Sequence, residues 1–458
     1  VLLHAGCAAL VTGIARRFVG TVGAVGAGLL FAVHPVHVES VAFVSGRTDL
    51  WMTLFALGAV SLWLPRDGVR SVPRTLLSAA LFLASALSKE TVLLLPGVLL
   101  AWDALAAGTA PGKWVSRNLA WVSAWGVAVA VVMGLRSAAG VGFGADDPSG
   151  ASASLLAISA THLRLLTIPW PLNAAYSAAA LLLTAPVLLG AAATVGVLAS
   201  AAGMRSSARG LGRAAAVWTL AFLIPVSGLF GVSGSPAAER FLYLPSVGFC
   251  LAVGVLVDRL ARTSVPAARR IGLGAGAALV VLLAAGTVTR ARIWESDLTL
   301  YADIARTSPD RPLAHNNLGL EYHRAGRHDE ALAAFDRAIA LNPTYALPHT
   351  NRGLALARLG RIPEAVRAFE TAVELDPANP GLRLNLGNGY RAARNLDGAI
   401  AQYETAAAAL PAAADVHLLL GQAYVEAGRP DDARTVVGNL RRMGSPLADR
   451  LAGALSAP

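Results

Sequence analysis

Apolar positions follow two different periods along the chain. From Val1 to Val288 they gather into long runs: Val1–Ala15, Val19–Val33, Leu50–Leu64, Thr75–Ser88, Val92–Ala107, Asn118–Leu135, Ala179–Ala202, Ala214–Val232, Phe241–Val257 and Ile271–Val288. A membrane-crossing helix needs about 20 mainly apolar residues. Several runs are shorter, and with their flanks the pattern predicts about ten spans. A secretory leader explains one such run, not ten. Ser154–Tyr176 breaks the pattern: it holds His162, Arg164, Pro169 and Pro171 and is predicted to be an interfacial or re-entrant helix.

Beyond residue 290 the period is 34. Gly319, Gly353, Gly387 and Gly421 keep that interval, as do Ala331, Ala365, Ala399 and Ala433, and Pro343, Pro377 and Pro411. Phe335, Phe369 and Tyr403 occupy the large position four residues after the first three alanines. This is the tetratricopeptide pattern, in which small residues let two antiparallel helices approach, an aromatic fills the gap and proline ends the second helix. Tyr301 and Pro309 mark a preceding half repeat. The expected fold is all-α, a polytopic helix bundle followed by an α-solenoid. Its expected divisions are a membrane domain over 1–289, a junction and half repeat over 290–311, four repeats over 312–447 and a tail over 448–458.

Composition sharpens this picture. Of 458 residues, 55 % are hydrophobic and 14 % charged, against about 25 % charged in an ordinary soluble domain; a single soluble globule and a disordered chain are both excluded. Cys7 and Cys250 allow neither a disulfide framework nor a cysteine-rich metal site. The net charge of +10 lies entirely in residues 1–289, with 19 basic and 9 acidic residues, whereas 290–458 hold 19 of each. It sits in the gaps between apolar runs, which argues against nucleic acid as a partner. Arg16/Arg17, Arg66/Arg70/Arg74, Lys113/Arg117, Arg205/Arg209/Arg213 and Arg259/Arg262/Arg269/Arg270 fill alternate gaps, and Arg47, Lys89, Arg136 with Arg164, and Arg240 fill the others, 14 against 5. The positive-inside rule puts the richer gaps in the cytoplasm and the repeats on the extracytoplasmic side.

The conspicuous polar residues then share the extracytoplasmic face. His34, His37 and Glu39 could hold a divalent metal or shuttle a proton. Arg47, with Ser45 and Thr48, could hold a phosphate. On spacing alone, mutual pairing of His34, Glu39, Arg47 and Asp49 is the simpler reading. Lys89 and Glu90 lie in a short gap, either as a functional pair or as a local ion pair between two helices. Glu239, Arg240 and Tyr243 offer a carboxylate, a guanidinium and a phenol at a helix mouth. Asp146 and Asp147 lie in a Gly/Ala/Ser-rich loop that reads as a solvated turn. No phosphate loop or nucleophile elbow is present, and Gly23–Gly28 reads as helix packing.

His34-Pro35-Val36-His37-Val38-Glu39-Ser40-Val41-Ala42 with Gly46-Arg47-Thr48-Asp49-Leu50 resembles the loop signature of the transmembrane and tetratricopeptide-repeat-containing O-mannosyltransferases, members of the GT-C class of polyprenyl-phosphate-sugar-dependent glycosyltransferases. Ser88-Lys89-Glu90, Leu165–Tyr176 and Ala238–Phe249 are similar to family segments, as is the order of parts. The resemblance implies transfer of a sugar, mannose or another hexose, from a polyprenyl-phosphate donor to a hydroxyl, commonly Ser or Thr of a protein, on the extracytoplasmic face. It offers His34, His37, Glu39, Arg47, Asp49, Lys89, Glu90, Glu239, Arg240 and Tyr243 as donor-site residues, with Arg47 and Arg240 the first choices for the phosphate and Arg136 and Arg164 the next. In this class the catalytic acid lies in the first extracytoplasmic loop. The chain opens at Val1 and that run matches the second span, so the chain is expected to be part of a longer protein whose acid precedes it. No catalytic residue is named, and no cofactor is firmly implied, although a divalent metal fits the class. A composition rich in Ala, Arg and Gly points to a bacterial inner membrane. Expected partners are the lipid-linked sugar, the bilayer, and an acceptor or partner protein on the repeats. Two competing readings remain: a non-catalytic anchor whose repeats gather envelope proteins, and a flippase of lipid-linked sugars. The scarcity of charges inside the runs, Asp103 apart, counts against the flippase.

Overall fold

The computed structural model describes residues 1–64, 71–107, 118–139, 155–176, 181–204, 209–226 and 237–456. Arg66, Arg70, Lys113, Arg117, Arg205, Asp146 and Asp147 lie outside these, as do Ser154 and the ends of two predicted runs at 179–180 and 227–232. Among the described residues every regular element is a helix. The chain forms two compact units, Val1–Asp303 and Ile304–Pro458.

The first unit holds α1 (Leu2–Ala15), α2 (Thr21–Val33), α3 (Val38–Ala42), α4 (Arg47–Trp63), α5 (Val72–Ser88), α6 (Leu95–Ala107), α7 (Leu119–Ala138), α8 (Leu155–Thr167), α9 (Ala185–Ala202), α10 (Arg209–Leu223), α11 (Pro245–Ala261) and α12 (Pro266–Ile293). Helix α1 packs on α2 and α4, α4 on α5, and α5 on α7. Helix α2 also packs on α11, α11 on α10, and α10 on α6 and α9. The crossing of α2 and α11 is close because both present glycine. A Cβ on Gly254 would stand 2.7 Å from the Gly23 carbonyl, and one on Gly23 would overlap the Gly254 carbonyl. Helix packing through small residues is thus the role of this glycine stretch.

Three helices are long and apolar enough to cross a membrane: Leu119–Ala138, Ala185–Ala202 and Pro266–Ile293. Thr21–Val33 and Pro35–Ala42 make a fourth if the pair, bent by 50°, is one span. Over the described residues the other six apolar runs form helices of 13–17 residues, at most about 26 Å at 1.5 Å per residue. The 3₁₀ turns Val44–Gly46, Glu90–Leu94 and Glu239–Leu242 bound four of them, α4, α5, α6 and α11. Lipid nonetheless suits the unit's surface. Only 6 % of the apolar stretch of α12 and 22 % of that of α7 are buried inside the protein, and so much exposed apolar surface needs an apolar surrounding.

Alternate gaps meet at opposite ends of the bundle. At one end Arg17 donates to the Ser61 and Leu64 carbonyls, Arg74 to those of Leu62 and Leu64, and Asp258 accepts from Gly20 N–H. The four 3₁₀ turns of the described residues lie at the other.

The second unit is four helix pairs: Pro312–Arg324 with His328–Leu341, Ala346–Arg358 with Ile362–Leu375, Pro380–Ala392 with Leu396–Ala409, and Ala414–Glu426 with Pro430–Arg442. The first three glycine notches receive the predicted aromatic. A Cβ on Gly319, Gly353 or Gly387 would stand 2.6, 2.5 and 2.5 Å from Phe335, Phe369 and Tyr403. In the fourth repeat the equivalent residue is Val437, and the notch at Gly421 takes Leu451 instead. Leu451 belongs to Leu447–Ser456, which forms a further helix on the last pair where a tail was expected. Every turn between repeats is tied by the fourth residue of the next helix: His315, His349 and His417 bond the carbonyls of Pro309, Pro343 and Pro411, and Arg383 bonds that of Pro377. Within each pair the helices join through a left-handed residue, glycine at 326, 360 and 428 but Arg394, at φ 62°, in the third.

Candidate functional site

The polar residues of the first unit pair across the chain rather than within their own loops. Glu39, 1 % exposed, accepts from the Arg240 backbone N–H at 3.0 Å and from its Nη1 at 2.5 Å, over 201 residues of sequence. Asp49, 3 % exposed, accepts from Lys89 Nζ at 2.6 Å. Both cations are partly exposed, and both approach one aromatic: Lys89 Nζ lies 5.7 Å and Arg240 Cζ 5.2 Å from the ring centroid of Phe241. This is cation–π distance. The start of α4, the end of α5 and the turn before α11 therefore converge on one ring. Asp49 Oδ2 is buried with no hydrogen-bond partner, while Arg47, at the same helix start, is exposed and stands apart from the cluster.

Two expectations are corrected here. Glu39 and Asp49 do not pair with Arg47 or with the histidines, because their partners arrive from distant segments. Lys89 and Glu90 are not a local pair: Lys89 goes to Asp49, and Glu90 to Arg136 Nη1 at 3.5 Å. Ser88, Lys89, Glu90 and Arg136 line a cavity of about 220 Å³ whose other wall is apolar, with Leu87, Val132 and Leu135.

The histidines serve the core. His34 Nε2 bonds the Leu166 carbonyl at 3.0 Å, and Val36 N–H points to Nδ1 at 3.5 Å. His37 Nδ1 donates to the Phe31 carbonyl at 2.7 Å and Nε2 lies 2.8 Å from Ser246 Oγ. With these nitrogens engaged they are poorly placed as metal ligands, and among the described residues no group of three His, Cys, Asp or Glu side chains gathers for an ion. Tyr243 does not reach a head group either. It is fully buried, donates to His4 Nδ1 at 2.7 Å and packs edge-on against Phe31 and His37. Arg164 is buried and bonds the Trp170 and Pro171 carbonyls at 2.5 and 3.2 Å, so its positive charge braces a turn.

Glu239 is fully buried under the same turn. Arg290, near the end of α12, grips it with Nη2 at 2.8 Å and Nε at 3.3 Å, and reaches Asp303 with Nη1 at 2.9 Å. Burial raises the Glu239 carboxyl from its ordinary value, and the Arg290 guanidinium beside it pulls the other way. His4, Phe241, Arg290 and Asp303 were not singled out from sequence. Arg290 carried a readable signal, a charge directly after the last apolar run; His4 and Phe241 did not.

Residues 319–360 match the TPR repeat family and 350–414 and 390–443 match tetratricopeptide repeat families. The second unit is therefore a tetratricopeptide-repeat array. Over more of its length, the chain is 30 % identical across 335 residues to the protein O-mannosyl-transferase F38B6.6 of Caenorhabditis elegans, covering 70 % of this chain and 46 % of that one. It is 25 % identical across 396 residues to the protein O-mannosyl-transferase TMTC3 of Mus musculus, covering 75 % and 41 %. The resemblance carried by the loop motifs holds: the chain is a relative of the protein O-mannosyl-transferases. It spans less than half the length of these two relatives. Among solved structures, TTC0263, a thermophilic TPR protein of Thermus thermophilus, is 24 % identical, covering 39 % of this chain and 95 % of that one at a TM-score of 0.30.

Proposed function

We propose that the protein is a membrane-embedded glycosyltransferase that moves a sugar, mannose or another hexose, from a polyprenyl-phosphate donor to a hydroxyl, on Ser or Thr of a protein acceptor. The observation that carries this reading is the convergence of Lys89 and Arg240 on Phe241, each cation held by a buried carboxylate. Of three ammonium donors and five guanidinium donors, only some are engaged by Asp49 and Glu39, and both side chains stay partly exposed. Such preorganised donors suit the charge that collects on a departing phosphate. The lateral cavity beside Lys89, polar on one wall and apolar on the other, fits an amphiphile entering from a bilayer. Names of relatives covering 70 % and 75 % of the chain support the reaction class.

The remaining roles complete the proposal. Glu39 and Asp49 orient the cations. Residues 1–289 form the membrane domain, in a bacterial inner membrane, with the rim and the repeats on the extracytoplasmic side, as the basic gaps imply. The junction spans 290–311, and the repeats over 312–447 present the acceptor or a partner protein. Inverting displacement at the anomeric carbon needs a general base for the acceptor hydroxyl; none of the described residues is assigned to it.

The test is sugar transfer by membranes holding the complete parent protein, with a panel of polyprenyl-phosphate donors. Lys89→Ala and Arg240→Ala should each lower transfer by roughly 100-fold, the scale of losing one charge-stabilising donor. Unchanged transfer in both variants would remove the phosphate from this rim. A parent protein that transfers nothing, while its repeats still capture envelope proteins, would favour the non-catalytic scaffold.

A further inference from the structure

The Glu239–Arg290–Asp303 cluster has no part in the proposed chemistry, yet all three of its side chains are buried. Side-chain exposures are 0 % for Glu239, 5 % for Arg290 and 6 % for Asp303. Burying three charges is a poor way to gain stability, since apolar residues of like volume often do as well or better. What an ion cluster supplies that apolar residues do not is direction. The guanidinium is a planar fork with fixed donor angles, and here two of its nitrogens hold both oxygens of Glu239.

Glu239 is the first residue of the turn Glu239–Leu242, and the next two are Arg240 and Phe241. That turn is gripped from two sides: Arg290 holds Glu239, and Glu39 holds both the backbone N–H and the side chain of Arg240. Asp303, on the helix Asp297–Thr307, fixes the third nitrogen of the fork. We propose that Arg290 is a positioning residue: it sets the orientation of the turn that carries Arg240 and Phe241, and through that turn governs how the rim engages an anionic head group. The consequence for transfer rests on the proposed function; the consequence for the turn does not.

Two measurements on the complete protein separate these consequences. The first is the maleimide labelling rate of Phe241→Cys, read as the increment over the same protein without that substitution; Cys7 and Cys250 are both buried. The second is the KM and kcat for a polyprenyl-phosphate sugar. In Arg290→Met, labelling should quicken by about tenfold or more as the turn loosens, and KM should rise by about tenfold with kcat changed less. Arg290→Lys keeps the charge without the fork and should fall between the two.

The deciding variant replaces the whole cluster with apolar residues: Glu239→Leu, Arg290→Met and Asp303→Leu together. It should melt close to the parent yet keep the fast labelling and high KM of Arg290→Met. A triple variant restored to parental labelling and KM would show that Arg290 only neutralises its neighbours and would overturn the proposal. So would Arg290→Met with parental labelling. Where the triple variant does not fold, Arg290→Lys decides: parental labelling and KM with charge alone would refute the role of the fork. Absence of transfer by the parent protein would sink the proposed function, and the labelling rates would still decide the role of Arg290.

Discussion

The ion pairs of the two units differ in burial. In the repeats five of them, Arg324–Glu321, Arg327–Glu330, Arg361–Glu364, Arg429–Asp432 and Arg434–Asp431, join residues three apart, and the longer Arg352–Asp336 and Arg391–Glu426 also keep both side chains partly exposed. In the first unit three of them join residues 40, 51 and 201 apart, and the carboxylates Asp49, Glu239 and Glu39 are buried. Exposed pairs of the first kind add little to stability, because water already solvates both partners. The repeats are held instead by small and aromatic side chains meeting in a fixed notch. The first unit spends buried charge on arrangement, and its specificity lies between segments rather than within them.

Substitutions can break this contrast, beginning with the largest expected effect. Arg290→Ala strands Glu239 beneath the rim without its fork and should lower unfolding free energy by about 3–5 kcal/mol, read as a lower melting temperature of the detergent-solubilised complete protein. Gly353→Val should lower the stability of the array by about 1–3 kcal/mol through overpacking against Phe369; circular dichroism melts would show it. Arg394→Gly should raise stability by about 1 kcal/mol, since it relieves a left-handed residue that the other three repeats build from glycine. Arg361→Ala, which removes an exposed neighbour pair, should leave the melting curve unchanged. A large loss there would erase the distinction between the units.

The same contrast explains what could be read from sequence. A 34-residue period is a local, repeated statement, so the four repeats, their glycine notches and the aromatics filling three of them were legible. Leu451 was not, because the residue that fills the fourth notch comes from outside the repeat. In the first unit the apolar runs and the identity of the rim residues were legible, since charges stand out in such a background. Their partners were not. Glu39 finds Arg240 and Asp49 finds Lys89 only after the helices between them have packed, and no spacing records that choice. Nor does hydropathy record where a helix stops: the 3₁₀ turns at Glu90–Leu94 and Glu239–Leu242 keep apolar residues outside the adjoining helices. Tyr243 misled for a related reason. It follows two charged residues by a few positions, but one turn of backbone points it inward to His4.

The helix Leu447–Ser456 has a consequence for the order in which the array opens. Leu451 fills the notch at Gly421 from outside the fourth pair, so that pair depends on a neighbouring segment for a contact the first three make within themselves. Replacing Leu451 with a charged residue should let the fourth pair open before the others, read as faster hydrogen exchange confined to it.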